Sequence, residues 1–412
     1  MEKIKILSLG LSQINFLEQL YGSIRKEDSN LHFDVDNFLN HGSLQLDEGI
    51  IENFFTFSDS KFSGYSKVKC FFKLLVKKSF WKQIFLETHS YGFKSIYKFI
   101  KKSVRDFYIA SECIIPLNHD IYHFHSIVKP NVRYLQYLPN NKKIICSFWG
   151  LDLYQRWGTN NYYYISLALN KATVITVQSI EMKEVVLAKF GVNLRDKIKV
   201  ITFPLKQDVF DLIDELKSKT EIQDNFKLKI GVKNLEKKIV SIGYNADSNS
   251  QHIPILEALN KLPKKVKETV IFILPLTYGR NEKYLLEIEK AIKKTKNLEV
   301  IKIESYLNWD ELALLKIVTD VIIQMPLNDA LSSAVLEVIY AGNTAITGNW
   351  LPYRVYKRNG IEHVELGEIA DLIEVFNDDK NFESISEDNT QKIRDLFLST
   401  EIIQKWIYIY KT

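Results

Sequence analysis

Short apolar runs, each followed by a longer amphipathic or mixed stretch, recur in two series along this chain of 412 residues. The first series holds Ile4–Leu9, which ends at Gly10, then Asp120–His125, Lys143–Phe148, Thr173–Val177 and Ile198–Thr202, with a helical pattern over Glu181–Phe190. The second holds Lys238–Gly243, Val270–Leu274, Leu298–Ile303, Val321–Gln324 and Thr344–Thr347. It alternates with helical patterns over Ile253–Leu262, Glu282–Thr295, Trp309–Ile317 and Ser333–Ala341. Runs this apolar and this short fit strands of parallel sheets covered by helices on both faces. Residues 206–235, polar and poor in strand signal, read as a hinge. The expectation is an α/β chain of two Rossmann-like domains, 1–205 and 236–388, facing across a cleft. A closing helix in 389–412, apolar at Phe397, Ile402, Ile403, Trp406, Ile407 and Tyr410, either packs back on the first domain or stands as an ordinary terminal helix. Ligands of open α/β sheets bind beyond the carboxyl ends of the strands, so the loops after each strand are the places to inspect.

The length suits two cores rather than one. Three cysteines without a CxxC pair argue against a disulfide framework or a zinc site. The start, MEKIKILSLG, lacks the basic and long apolar regions of a signal peptide, and no run reaches the roughly 18 apolar residues of a membrane span. A cytoplasmic location follows, with room for a peripheral place on the inner face of the cell membrane.

The sharpest local signal is the stretch Asn328-Asp329-Ala-Leu-Ser332-Ser333-Ala-Val-Leu-Glu337, which leaves a buried strand and opens a helix. Free amides at a helix start, with two hydroxyls beside them, form a cradle for a diphosphate. Glu337, one turn in, is placed to accept from ribose hydroxyls, and Asp329, eight residues earlier, to face a sugar. The stretch resembles the E-x7-E region of GT-B glycosyltransferases, with Asp329 in place of the first Glu. The trailing Ala-Gly342-Asn-Thr-Ala-Ile resembles that family's A-x-G-x-P-V-I. The resemblance implies the GT-B fold, a donor sugar at Asp329 and a ribose at Glu337, and it leans toward retention of configuration.

Two more loops extend the likeness. After Lys238–Gly243 come Tyr244, Asn245, Asp247, Ser248, Ser250 and His252; after Val270–Leu274 come Pro275, Tyr278, Gly279 and Arg280. With the segment Trp149-Gly150-Leu-Asp152-Leu-Tyr154, they are similar to those of transferases that move 4-acetamido-4,6-dideoxygalactose onto a lipid-linked intermediate. Arg280 would supply the positive charge that many relatives place after the preceding strand. Glu304 and Tyr306, after another strand, fall where that fold holds the nucleotide base. The same residues also read as turn formers or solvated charges.

In the first half, Gly10 permits close backbone approach or simply a turn. Alternation puts His123 and His125 on one face, and His125 reads as a general base, a phosphate contact or a satisfied core histidine. Asp152 is the first-half carboxylate open to acceptor contact or base duty, with helix capping as its alternative. Lys61–Arg105 carries twelve Lys/Arg, one acidic residue and many aromatics. Such a segment suits an anionic membrane surface, or is a solvated helical face; no nucleic-acid module is evident. No DxD motif stands in a suitable loop, so neither a metal nor another cofactor is expected, and Asp378-Asp379 reads as a surface pair.

Together these features point to a hexosyl-type glycosyltransferase moving a sugar from a nucleotide-sugar donor to a glycan or polyprenyl-linked acceptor in cell-envelope polysaccharide synthesis. A non-catalytic nucleotide-sugar-binding partner, a sugar-nucleotide epimerase and a nucleic-acid-binding protein using the basic segment are the other readings.

Overall fold

The computed structural model describes residues 3–10, 14–36, 49–57, 63–154, 158–377, 388–398 and 400–412. Lys61, Phe62 and the Asp378-Asp379 pair lie outside the described residues. The chain divides into two compact units, Met1–Pro204 with Thr400–Thr412, and Leu205–Ser399.

The first unit is built on seven strands: β1 Ile4–Leu9, β2 Leu31–Asp36, β3 Ile51–Phe55, β4 Ile121–His125, β5 Lys143–Ser147, β6 Val174–Val177 and β7 Ile198–Val200. They pair in parallel in the order β3-β2-β1-β4-β5-β6-β7. The second unit has six: β8 Lys238–Ile242, β9 Val270–Pro275, β10 Val300–Ile303, β11 Val321–Gln324, β12 Thr344–Gly348 and β13 Val364–Leu366. They too are all parallel, in the order β10-β9-β8-β11-β12-β13.

Period-two alternation sorts the second sheet's side chains into two cores. Val240, Ile242, Val321 and Ile323 enter one apolar layer; Ile239 and Ile322 enter the other. The layer holding Ile239 contains the Ser333–Tyr340 helix, which is buried from Ala334 to Tyr340. A helix apolar nearly all round must be covered on several sides. The Trp309–Val318, Gln207–Leu216 and Asp388–Phe397 helices do this.

Residues 206–235, expected as a hinge, are instead the Gln207–Leu216 and Thr220–Lys229 helices of the second unit. Val209, Phe210, Ile213 and Leu216 form one buried stripe with a charged opposite face. The expected single closing helix is two: Asp388–Phe397 belongs to the second unit, and Thr400–Lys411 to the first. In the first unit Ile402, Ile403, Trp406, Ile407, Ile409 and Tyr410 pack with Leu17, Leu20, Tyr21 and Phe33. The Trp406 indole donates to Thr202 O at 2.9 Å. Among the described residues, three α-helices stand between β3 and β4: Gly64–Leu75, Lys78–Tyr91 and Lys94–Tyr108.

Candidate functional site

In the second sheet the chain steps outward from β8 to β9 and β10, then returns to place β11 on the other side of β8. At such a reversal the two exit loops diverge, and the crevice beyond the carboxyl ends is where ligands bind in open α/β sheets. Here the loop after β8 and the loop after β11 leave the sheet at that reversal, and backbone and amide groups stitch them together. Leu327 N donates to Asn249 O at 2.9 Å, Asn249 Nδ2 to Asn328 O at 2.8 Å, and Gln251 Nε2 to Met325 O at 2.7 Å. Ala246 N donates to Tyr278 O at 2.8 Å, which brings in the loop after β9. Asn245 Oδ1 accepts from Asp247 N and Ser250 Oγ and so shapes the turn. Ser248 is exposed at its tip.

The two carboxylates of the motif lie close to these loops. Asp329 Oδ2 accepts from Tyr353 Oη at 2.7 Å and from Gln324 Nε2 at 3.4 Å, and Oδ1 from Ala330 N at 2.7 Å. Burial nevertheless raises its pKa, because desolvation of the charged form outweighs those bonds. Beside it, Gln324 Oε1 and Asn328 Oδ1 are buried acceptors with no donor among the described residues. Glu337 is 8% exposed, and its Oε2 lies 3.1 Å from Nζ of Lys316, itself 5% exposed. Both carboxylates are near enough to the Tyr244 and Tyr278 phenols for their charge to add to the desolvation that raises those pKa values, although Tyr278 as a whole residue is 53% exposed. Ser332 spends its oxygen on the helix cap, accepting from Val335 N at 3.4 Å, whereas Ser333 is exposed at the helix start.

The remaining second-half residues divide into exposed and enclosed. Arg280 is exposed, donates to Glu304 O at 3.3 Å and lies 3.8 Å from its carboxylate; Tyr306 is exposed on the same loop. Gly279, at φ +70°, turns the loop beside Asp247. His252 differs from expectation: it is fully buried against Tyr284, and desolvation lowers its pKa to about 4. A neutral, enclosed imidazole supplies no charge to a diphosphate at neutral pH.

The first sheet has its own reversal between β1 and β4. Gly10, at φ +92°, belongs there: a Cβ would sit 2.7 Å from Asn131 Cβ and 2.9 Å from His125 O. The two candidate bases of this unit are engaged elsewhere. Asp152 is buried, and its carboxylate accepts from Ile127 N at 2.6 Å, Trp149 N at 2.9 Å and Gly150 N at 2.8 Å. It holds the turn after β5 rather than offering a lone pair to an acceptor. His125 is fully buried, with Nδ1 3.3 Å from Trp149 Nε1 and Nε2 2.8 Å from Tyr21 Oη. An indole only donates, so Nδ1 is the acceptor, and the neutral ring donates from Nε2 to the tyrosine. Next to it, His123 bonds Tyr410 Oη at 2.7 Å and Ser147 Oγ at 2.6 Å, with the two imidazole centroids 3.8 Å apart.

Burial lowers the His125 pKa from 6.5 to about 3. A folded-state pKa below the unfolded one gives stability that is present above about pH 6.5 and lost as pH falls toward 3. Between pH 7 and 5, wild type should therefore lose about 2 kcal/mol more stability than His125→Gln. Urea titrations of both proteins at the two pH values measure this; parallel losses would show that the ring is charged in the folded state.

Sequence inspection missed Lys316, Tyr353 and Asn249. Lys316 left a signal: a lone lysine inside Ala-Leu-Leu-Lys-Ile-Val needs a buried counter-charge if that helix faces a core.

Two all-parallel Rossmann-like units, each with a strand-order reversal, constitute the GT-B fold. No family model and no curated relative matches the chain. Solved structures match it end to end. A glycosyltransferase from Rickettsia africae ESF-5 is 16% identical, with TM-score 0.67 over 100% of this chain and 98% of that one. Anabaena Alr3699/HepE, in complex with UDP and glucose, is 13% identical, with TM-score 0.68 over 99% of each chain. A UDP-forming α,α-trehalose-phosphate synthase from Burkholderia xenovorans, in complex with glucose-6-phosphate, is 9% identical, with TM-score 0.66 over the whole of both chains. At these identities the likeness is one of fold.

Proposed function

We propose that this chain is a glycosyltransferase that takes its sugar from a nucleotide diphosphate donor held at the β8/β11 reversal. One observation carries the reading: Asp329 and Glu337 lie just before and one turn into the Ser333–Tyr340 helix at that reversal, near Tyr244 and Tyr278. The solved complex of the similarly folded HepE with UDP and glucose supports it. In this reading, amides at the helix start and the exposed Arg280 stabilise the departing diphosphate. The unpartnered acceptors Gln324 Oε1 and Asn328 Oδ1, with Asp329, receive bonds from sugar hydroxyls. Glu304 and Tyr306 border the base.

The bond from the anomeric carbon to phosphate oxygen breaks, and its electron pair stays on the phosphate. The acceptor hydroxyl oxygen bonds to the anomeric carbon, and its proton passes to the departing phosphate. This retaining course needs no side-chain base, in keeping with the locked states of Asp152 and His125. It assigns charge neutralisation to the protein and requires no metal. The sugar is a hexose in this reading, and the product an envelope polysaccharide.

A screen of nucleoside diphosphates and their sugars tests the donor site. A ligand at about a hundred times its Kd should stabilise the protein by about 2.7 kcal/mol. Ser333→Glu should leave the free protein as stable as wild type, since an acidic residue suits an exposed first turn, and should abolish the ligand's effect. If no nucleotide stabilises wild type, the donor reading is wrong.

A polyprenyl-linked acceptor would be met at a membrane. No described helix is long and apolar enough to cross one. The three α-helices between β3 and β4, with the turn that joins the last two, expose Tyr65 at 80%, Phe93 at 82% and Tyr97 at 78%, with Phe72, Trp81 and Phe85 also exposed among the lysines. Aromatics amid basic residues suit an anionic lipid face, each lysine near the surface adding about 1 kcal/mol. The protein should float with phosphatidylglycerol vesicles at low salt and not with phosphatidylcholine vesicles, and Trp81→Ala with Phe85→Ala should weaken flotation several-fold. Indifference to lipid charge would remove this surface from the proposal.

A further inference from the structure

The Glu337 carboxylate is held from one side only. Lys316 Nζ lies 3.1 Å from Oε2, and no described residue donates to Oε1. The lysine itself is fixed at its backbone: Asn343 Nδ2 donates to Lys316 O at 3.2 Å and to Ile317 O at 3.0 Å, clamping the end of the Trp309–Val318 helix to the end of the Ser333–Tyr340 helix. A buried cation on one helix thus fixes the direction of its neighbour's carboxylate. A carboxylate paired with an ammonium accepts charge-assisted hydrogen bonds, which are shorter and stronger than neutral ones. A surface fold-stabilising pair would not need this burial, since exposed pairs contribute little.

We propose that Lys316 is a positioning residue for nucleotide recognition: its ammonium takes one oxygen of Glu337 and aims the remaining oxygen at the ribose hydroxyls of the donor. The inference rests on the donor site proposed above and adds to it a residue two elements away from the motif. Lys316 touches no ligand in this assignment, and its effect runs wholly through Glu337. The contribution should therefore appear in ribose discrimination, not in affinity for the diphosphate.

The test measures binding of ADP, CDP, GDP and UDP to wild type, and then of the 2′,3′-dideoxy form of whichever binds most tightly. In wild type, loss of the hydroxyls should weaken binding about tenfold or more, as expected for bonds to a charged acceptor. In Lys316→Met the same loss should cost less than about threefold, while the dideoxy form keeps its wild-type affinity. Lys316→Arg should restore discrimination. Where Lys316→Met is too unstable to assay, the Lys316→Met/Glu337→Met double variant has no unpaired buried charge and should bind both forms alike. Three results would overturn the inference: a parallel loss of affinity for both forms, full discrimination in Lys316→Met, or none in wild type. Failure of wild type to bind any of the four diphosphates would overturn the donor reading itself, and this inference with it.

Discussion

Glu337→Ala should lower the stability of the second unit by about 3–5 kcal/mol, because it leaves the Lys316 ammonium buried without its partner. For a unit of this size that corresponds to a fall in unfolding midpoint of order 10 °C. The lost hydrogen bond is a small part of the effect; the larger part is the unrelieved desolvation of a cation. Lys316→Met/Glu337→Met, which replaces both charges by side chains of similar volume, should return to within about 1–2 kcal/mol of wild type. Urea unfolding of the three proteins decides it. A Glu337→Ala protein as stable as wild type would show that the lysine reaches water and that the pair is not enclosed. The prediction also bears on ligand experiments: loss of nucleotide binding in Glu337→Ala alone would mix a binding defect with a folding defect, which is why Ser333→Glu and the ribose analogues are the cleaner probes.

A chain ending after residue 399 should fail to fold its first unit while keeping its second. Residues Ile402, Ile403, Trp406, Ile407, Ile409 and Tyr410 are all buried, and Trp406 is wholly so. At about 1.5–3 kcal/mol per buried large apolar side chain, their loss is comparable with the entire 5–15 kcal/mol by which a domain is stable. The cut also strips His123 of Tyr410 Oη and leaves Phe203 without the Trp406 ring, whose centroid lies 5.5 Å away. Amide hydrogen exchange should show rapid exchange through β1–β7 and protection retained in β8–β12. Trp406→Ala alone should cost about 3–5 kcal/mol, the usual range for emptying a large core site. Protection of β1 and β4 in the shortened chain would mean that the last helix is an accessory to that unit.

How much of this was legible in the residues varied with the kind of strand. β1, β4–β6, β8, β9, β11 and β12 were readable because central strands of parallel sheets are buried on both faces and so are nearly continuous apolar runs, and the edge strands β7 and β10 were readable from their apolar residues although they are only partly buried. β2 escaped because its alternate residues His32, Asp34 and Asp36 are polar; Asp34 accepts from Asn53 at 2.9 Å and meets His119 at 2.7 Å, whereas Asp36 Oδ1 and His32 Nε2 are buried without a hydrogen-bond partner among the described residues. β3 and β13 escaped as short edge strands with little core to cover. The Gln207–Leu216 helix was mistaken for a hinge because its outer face is charged and its apolar residues fall at helical, not strand, spacing.

The sequence alone determined the two parallel sheets and the identity of the groups at the carboxyl ends of their strands, since both follow from local periodicity and from residues close together in the chain. Tertiary structure decided what state those groups are in. Asp152 became a turn anchor and His125 a neutral core residue, while Glu337 became half of an ion pair. Each outcome depends on a partner brought in from elsewhere: Tyr410, which holds the histidine beside His125, is 287 residues from it, and Lys316 lies on a different helix from Glu337. Charge state and availability depend on burial and on neighbours within a few ångströms, and only the folded chain brings those neighbours together.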